Sequence, residues 1–256
     1  MIQTEVKNQI GLITLNRPEK RNALHPDLIR DLLHTLLEWQ QDSAVKIVIL
    51  KANGKAFCAG ADLDYIKALQ HFSYEDNLLD SRKLKDLFSL MYRYPKPLVG
   101  QVEGAALAGG CGLVTLCDVV FSVPDAVFGY TEVRIGFIPA LVMVFLVRKI
   151  GESAARELLL SGELVNAYQA QQKGLVHHIC DAEEIAEKVW QYALNLKEQN
   201  SAQAMALTRS MLAEISRMNL PEALDYAAAQ NAAARASDDC KKGIAAFLNK
   251  QKPEWT

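Results

Sequence analysis

The chain has 256 residues, half of them hydrophobic, with 28 Lys and Arg against 30 Asp and Glu. A formal charge of −2 gives no basic field for nucleic acid or an anionic membrane surface. No apolar run is long enough to span a bilayer, and Met1 is followed at once by Gln3, Thr4, Glu5 and Lys7 rather than by a leader-like core. A soluble, cytoplasmic protein is therefore expected, either one large domain or a domain with an appendage.

In chain order, Ile10–Leu15 reads as a short strand, broken by Asn16, Arg17 and Pro18. Pro26 and Asp27 open an amphipathic helix to about Gln41, with Leu28, Leu32, Leu36 and Trp39 at helical spacing. Val45–Leu50 is a buried strand and Lys51–Gly54 a turn. Residues 64–80 are polar and mixed, and are expected to form a loop or weak helix. Ser81–Tyr94 reads as helix and stops before Pro95 and Pro97.

Pro97–Val102 is a strand, followed by small residues (Gly104, Ala105, Ala106, Ala108, Gly109, Gly110, Gly112) and a buried helix through Leu113, Val114, Leu116 and Cys117. Val119–Ser122 and Ala126–Phe128 read as strands, and Gly129–Ile138 as a loop carrying Glu132. Pro139–Ile150, Glu152–Leu160 and Asn166–Lys173 are helices, and Leu175–Ile179 is a last strand. Beyond Ala182 only helices are expected, at about 183–199, 201–218, 220–236 and 239–249. One face there is apolar (Leu207, Met211, Leu212, Ile215) and suits a subunit boundary. The pattern divides into an α/β body, residues 1–182, and a helical oligomerisation region, residues 183–256.

The five cysteines (Cys58, Cys111, Cys117, Cys180, Cys240) show no paired spacing, and the histidines make no metal-binding pattern. Two corners, Cys58–Leu63 and Leu107–Leu113, combine Gly and Ala with a strand-to-helix transition. Exposed amides at such a place can hold a phosphate or a reacting oxyanion. They can equally be small merely to let a helix pack on a sheet.

Four motifs in order decide the matter: N-R-P-E-K-R-N-A-L at 16–24, A-F-C-A-G-A-D-L at 56–63, A-G-G-C-G-L-x-x-x-C-D at 108–118 and F-G-Y-T-E-V-R-I-G at 128–136. With the closing F-L-N-K-Q-K-P, they resemble the crotonase family of enoyl-CoA hydratases and isomerases along essentially the whole chain. The run G-Y-T-E-V-R-I-G-F-I-P-A-L-V is similar to a methylglutaconyl-CoA hydratase-like branch. The resemblance implies a spiral of ββα units, a C-terminal helical trimerisation region, and homotrimers or hexamers built as dimers of trimers. It implies that the backbone N–H groups of Ala61 and Gly109 form an oxyanion hole and that Glu132 is the catalytic acid/base. Arg21, Ala23 and Leu24 fall beside the coenzyme A nucleotide. Ala59, Asp62, Leu63, Gly110, Gly112 and Thr131 fall along the acyl-CoA channel. Phe247 and Lys250 fall where the tail reaches a neighbour's coenzyme A. The substrate carries the coenzyme A; no other cofactor and no metal are implied.

An enolate-like state next to a thioester gathers charge on one oxygen, and fixed amides there favour that state over the neutral thioester. An apolar wall of Ile135–Ile138 would raise the pKa of Glu132, whereas a surface glutamate would simply pair with Arg134. The pattern departs from two-carboxylate hydratases at Gly112, where they carry a second glutamate. Gly112 is expected to leave room for a branched or carboxylate-bearing acyl group, and Tyr130, Thr131 and Asp62 are nearby polar groups. Cys111 offers a thiol nucleophile as an alternative. Three functions remain in play: an enoyl-CoA hydratase, a Δ3,Δ2-enoyl-CoA isomerase using one glutamate, and an acyl-CoA binder without catalysis.

Overall fold

The computed structural model describes residues 1–255. Two sheets share the chain by alternation. The larger runs β1 (Ile2–Lys7), β2 (Ile10–Leu15), β3 (Ile47–Ala52), β5 (Leu98–Val102), β7 (Val119–Ser122) and β10 (His178–Ile179); the smaller runs β4 (Ala56–Cys58), β6 (Ala105–Leu107), β8 (Val127–Gly129) and β9 (Val165–Asn166). From β3 to β8, each pair of consecutive strands gives its first member to the large sheet and its second to the small one, and the order reverses in the last pair, β9 lying in the small sheet and β10 in the large. A helical excursion then returns the chain to the next pair. Parallel pairing throughout, apart from β1 on β2 and β9 on β8, follows from these crossovers.

Helix α1 (Pro26–Gln41) begins with Pro26 in its first turn and the His25 Nδ1 accepting the Asp27 N–H at 3.3 Å. It buries Leu28, Ile29, Leu32, Leu36 and Trp39, the stripe expected from their spacing. Helix α2 (Leu63–Leu69) follows β4, and α3 (Tyr74–Tyr92), capped by the Ser73 hydroxyl, follows α2. Helix α4 (Gly109–Thr115) is central and buries six of its seven residues. Helix α5 (Ala140–Ser161) is broken at Gly151, whose φ of 78° and ψ of 162° lie outside the helical region, so the two helices read from the sequence meet end to end. Helix α6 (Ala167–Gln172) opens with a capping box between Asn166 and Gln169.

Past Ile179 the described chain is helical: α7 (Ile185–Gln199), α8 (Ala202–Ile215), α9 (Leu220–Arg235) and α10 (Asp238–Leu248). Helix α7 packs on β3, β5 and β7 through Ile185, Val189 and Ala193. Helix α8 docks through Arg209, whose Nε donates to both Asp118 carboxylate oxygens at 2.8 and 2.7 Å and whose terminal nitrogens donate to the Tyr94 and Met91 carbonyls. Asp118 in turn accepts the Leu98 N–H at 2.6 Å. Helices α9 and α10 bury no residue in this chain. Leu220, Leu224, Ile244, Phe247 and Leu248 point outward, as do Ile135, Phe137, Ile138 and Val144 near the start of α5. Among the described residues, no helix is long and apolar enough to cross a membrane, and no three His, Cys, Asp or Glu gather as a metal set.

Several expectations are corrected. β1 is a strand despite its polar sequence, because it is an edge strand with five of six residues exposed. Of the two alternatives for residues 64–80, helix holds: they contain α2 and the first turns of α3. The glycine-rich turn contains a strand, β6, and the helix after it starts at Gly109 rather than near Leu113. β9 was unforeseen, and the last strand shrinks to two residues, since Gln171 and the Ala170 carbonyl take up the backbone of residues 175–177.

Candidate active site

The two small-residue corners are neighbours because β4 and β6 are neighbours, paired Ala56 with Ala105 and Cys58 with Ala106. Their contact is tight. A Cβ added to Gly60 would lie 3.0 Å from the Ala108 Cβ, and one added to Gly110 would lie 2.3 Å from the Cys58 carbonyl oxygen. Gly110 is therefore needed for the approach itself.

The first corner is braced by the loop before α1. Arg21 and Asn22 adopt φ of 51° and 53°, a left-handed pair that turns the chain back over β4. The Ala59 N–H donates to the Arg21 carbonyl (3.0 Å), the Leu24 N–H to the Gly60 carbonyl (2.7 Å), and the Asp62 N–H to the Leu24 carbonyl (3.0 Å). Fully buried Asn22 clamps this loop: Nδ2 donates to the Asn53 and Ala56 carbonyls at 2.8 and 2.9 Å, and Oδ1 accepts the Arg17 N–H at 2.8 Å. Asn22 lies in the first motif but was not singled out from sequence. The tolerance of asparagine for left-handed backbone was its available signal.

The second corner turns at Ala108, where φ is 49° and ψ is −125°. A side chain rarely adopts this conformation, and holding one there costs about 1–3 kcal/mol. The Ala108 N–H donates to the Gly129 carbonyl at 2.7 Å, which fixes the bend against β8. Directly after it, Gly109 opens α4 with its amide beyond the reach of any intrahelical acceptor. Among the described residues, neither the Ala61 nor the Gly109 N–H donates to another group of the chain. Ala61 is exposed and Gly109 half-buried.

Glu132 starts a 3₁₀ turn, Glu132–Ile135, that leaves the end of β8 beside the second corner. Its Oε2 is buried and has no hydrogen-bond partner. Burial lifts its pKa above the usual carboxylate value, against a smaller opposing effect of its own backbone amide. The surface pair with Arg134 does not form: Glu132 turns inward and Arg134 outward.

Other expected residues are placed as follows. Asp62 is 3 % exposed and caps α2, with Oδ1 accepting the Asp64 and Tyr65 N–H groups at 2.9 and 3.2 Å and Oδ2 accepting Arg17 Nη1 at 2.5 Å. Burial alone would push its pKa up, but the Arg17 guanidinium and the two amides outweigh it and hold the carboxyl below its usual value. Ala23 and Leu24 are buried, Arg21 and Leu63 exposed, and Ala59 and Thr131 half-buried. The 81 % exposed Phe247 and Lys250 lie at the end of α10, which packs on α8 and α9. Cys111 is fully buried, and burial pushes its thiol up to about 12, so the nucleophile alternative fails.

Gly112 corrects the expectation of free space. A Cβ there would meet Val142 Cγ1 at 2.7 Å and the Phe88 ring at 2.8 and 3.0 Å. The volume that a second glutamate would need is filled by two apolar side chains from α5 and α3.

The family model described as enoyl-CoA hydratase/isomerase matches residues 5–256. A Thermus thermophilus protein, provisionally named as an enoyl-CoA hydratase, is 41 % identical over 255 residues, covering all of both chains. The 2,3-dehydroadipyl-CoA hydratase of Escherichia coli is 32 % identical over 250 residues, 97 % of this chain and 96 % of that protein. Among solved structures, a provisional enoyl-CoA hydratase/isomerase of Legionella pneumophila, described as a crotonase, superposes with a TM-score of 0.90 at 35 % identity over 100 % of this chain and 98 % of that one. The alternating two-sheet spiral seen here is the crotonase fold.

Proposed function

Since the chain belongs to the enoyl-CoA hydratase/isomerase family, we propose that it binds an acyl-CoA thioester between its two corners and moves a proton with Glu132. The amides of Ala61 and Gly109 receive the thioester oxygen as it gains charge. Each such donor is worth about 2.7–4 kcal/mol of barrier in comparable sites. Arg21, Ala23 and Leu24 border the coenzyme A, while Ala59, Leu63, Gly110 and Thr131 border the acyl chain. Asp62 shapes this wall through its cap and its Arg17 pair. In an assembled homotrimer, or a hexamer of paired trimers, Phe247 and Lys250 extend to a neighbour's coenzyme A, and the outward apolar residues of α9 and α10 support such assembly. Coenzyme A enters only as part of the substrate.

The single observation that carries this reading is the buried, unpartnered Oε2 of Glu132, on the segment that leaves β8 next to the corner whose Gly109 amide is unspent. An isolated carboxyl in such a place loses stability by being there, and a proton-transfer task accounts for it. Hydration of an enoyl-CoA is the first assignment, following the hydratase names of the relatives. Glu132 takes a proton from water as the hydroxyl adds to the β-carbon, then returns that proton to the α-carbon.

A second reading, Δ3,Δ2-enoyl-CoA isomerisation, is favoured by the apolar filling at Gly112, because moving one proton between two carbons needs one carboxylate. Turnover of 2-enoyl and 3-enoyl thioesters in heavy-oxygen water tests both. Hydration incorporates the label, isomerisation does not, and Glu132→Gln abolishes either. Equal background rates for wild type and Glu132→Gln, with coenzyme A affinity intact, would leave only a binder.

A further inference from the structure

Glu132 sits in a segment with few anchors, packed lightly on the end of α5 through Val133 and Arg134. Of the residues between Tyr130 and Pro139 none is buried, and Arg134, Ile135, Phe137 and Ile138 are exposed. Tyr130, two residues before Glu132, is by contrast fully buried. Its hydroxyl lies 2.6 Å from Thr115 Oγ1 in the last turn of α4, and that Oγ1 also reaches the Cys111 carbonyl at 2.9 Å. A carbonyl only accepts, so Thr115 donates its single proton to Cys111 and must accept from Tyr130. The direction of the bond is thereby fixed: the phenol is a donor to the helix that begins at Gly109.

We propose that Tyr130 is a positioning residue whose hydroxyl, hung on Thr115, sets Glu132 at a fixed offset from the first turn of α4. This rests on the reading of Glu132 as the proton carrier. The strut joins the base to the same short helix that carries one of the two oxyanion amides, so both move as a unit. Backbone bonds along β8 fix the height of the segment, but they end at Gly129. Without the phenol, the segment is held only by its own 3₁₀ turn and by the packing of Val133 and Arg134 against the end of α5 at Gly162. Tyr130 and Cys111 are titratable groups that feel the Glu132 charge, both held neutral because burial raises them, and Arg134 faces solvent.

The test begins with a measurement that needs no turnover. Infrared difference spectra of wild type against Glu132→Gln isolate the Glu132 carboxyl, whose titration midpoint in wild type lies above the ordinary carboxylate value. In Tyr130→Phe the midpoint falls toward that ordinary value as the side chain swings to water. With crotonyl-CoA as probe, kcat falls about 10–100-fold, the scale of a sub-ångström to 1 Å misplacement, while KM stays within about twofold. Thr115→Val, which keeps shape and removes the acceptor, reproduces both changes and carries the test if Tyr130→Phe does not fold. Thr115→Ser restores wild-type behaviour, and the double variant is no worse than either single one. A folded Tyr130→Phe or Thr115→Val with an unmoved midpoint overturns the proposal. Equal rates for wild type and Glu132→Gln would instead overturn the catalytic reading, and the spectra would still decide the strut.

Discussion

Placing a glutamate at Gly112 is the sharpest test of how this pocket is built. The side chain would leave the backbone directly toward Val142 Cγ1 at 2.7 Å and the Phe88 ring at 2.8 Å. Neither neighbour is free to yield: Phe88 is fully buried and packed edge-on against Phe145 at 6.1 Å, and Val142 is 4 % exposed. Overpacking of this kind costs about 1–3 kcal/mol, and an unpartnered polar group in apolar surroundings about 1–3 kcal/mol more. Replacing a helical glycine returns only about 0.5–1 kcal/mol. The net is a loss of about 3 kcal/mol, which in a chain of this size lowers Tm by roughly 6–12 °C. Differential scanning calorimetry measures it, and label incorporation from heavy-oxygen water measures hydration in the same preparation. Gly112→Glu is expected to be less stable and no faster at hydration. Phe88→Ala opens the space, so the double variant should be at least about 1 kcal/mol more stable than the two single losses added together. An unchanged Tm with accelerated hydration in Gly112→Glu would refute the packing account.

Glu132→Gln should lower turnover by about 10²–10⁴-fold, the usual contribution of a positioned proton carrier; a loss under tenfold contradicts the assignment. In wild type the acid limb of kcat should lie above the ordinary carboxylate range, because burial raises Glu132 and the base must be ionised to act. A carboxyl raised in the folded state is stabilising only while protonated. Wild type should therefore lose stability relative to Glu132→Gln as pH climbs from the unfolded value through the raised folded one, and a pH-independent difference in denaturant unfolding would exclude this. Asn22→Ala strips three hydrogen bonds of a buried side chain, one of them fully buried, and should cost about 2–4 kcal/mol, with KM for acyl-CoA rising as the loop loosens; urea unfolding and steady-state kinetics check both. Arg209→Met should cost about 1–3 kcal/mol, discounted for the partial exposure of Asp118, and should increase protease cleavage between α7 and α8.

Legibility from sequence followed burial. β2, α1 and β7 lie where their apolar spacing puts them, because each buries a continuous stripe or face. β1 was invisible because an edge strand pairs on one side and can be polar on the rest. The three-residue β6 was hidden inside Gly104–Gly112, where small residues carry no periodicity. At the site, the ordered motifs singled out Ala61, Gly109 and Glu132 as candidates, but the apolar wall expected from Ile135–Ile138 does not form: Ile135, Phe137 and Ile138 face outward, and the burial of the Glu132 carboxyl comes from elsewhere. Three features were not legible. The bend at Ala108 is a conformation that alanine does not advertise. The clamp of Asn22 reaches across to Asn53 and Ala56. The closure at Gly112 depends on Phe88 and Val142 arriving from distant helices, and a missing side chain in a sequence does not say who fills its place.

Because the two amide-bearing corners follow adjacent strands of the small sheet, their spacing is set by strand pairing, by the Gly60–Ala108 and Gly110–Cys58 contacts, and by the loop that braces the first corner. Of the chain between them, α3 is tied into the core through Leu87, Phe88 and Met91, whereas α2 buries no residue and closes no part of that spacing. Helix α2 can therefore change its apolar surface while the two corners stay in place. If the acyl-CoA reading holds, chimaeras exchanging residues 63–69 alone should shift acyl-chain preference without loss of basal turnover, as read from kcat/KM across a series of thioesters.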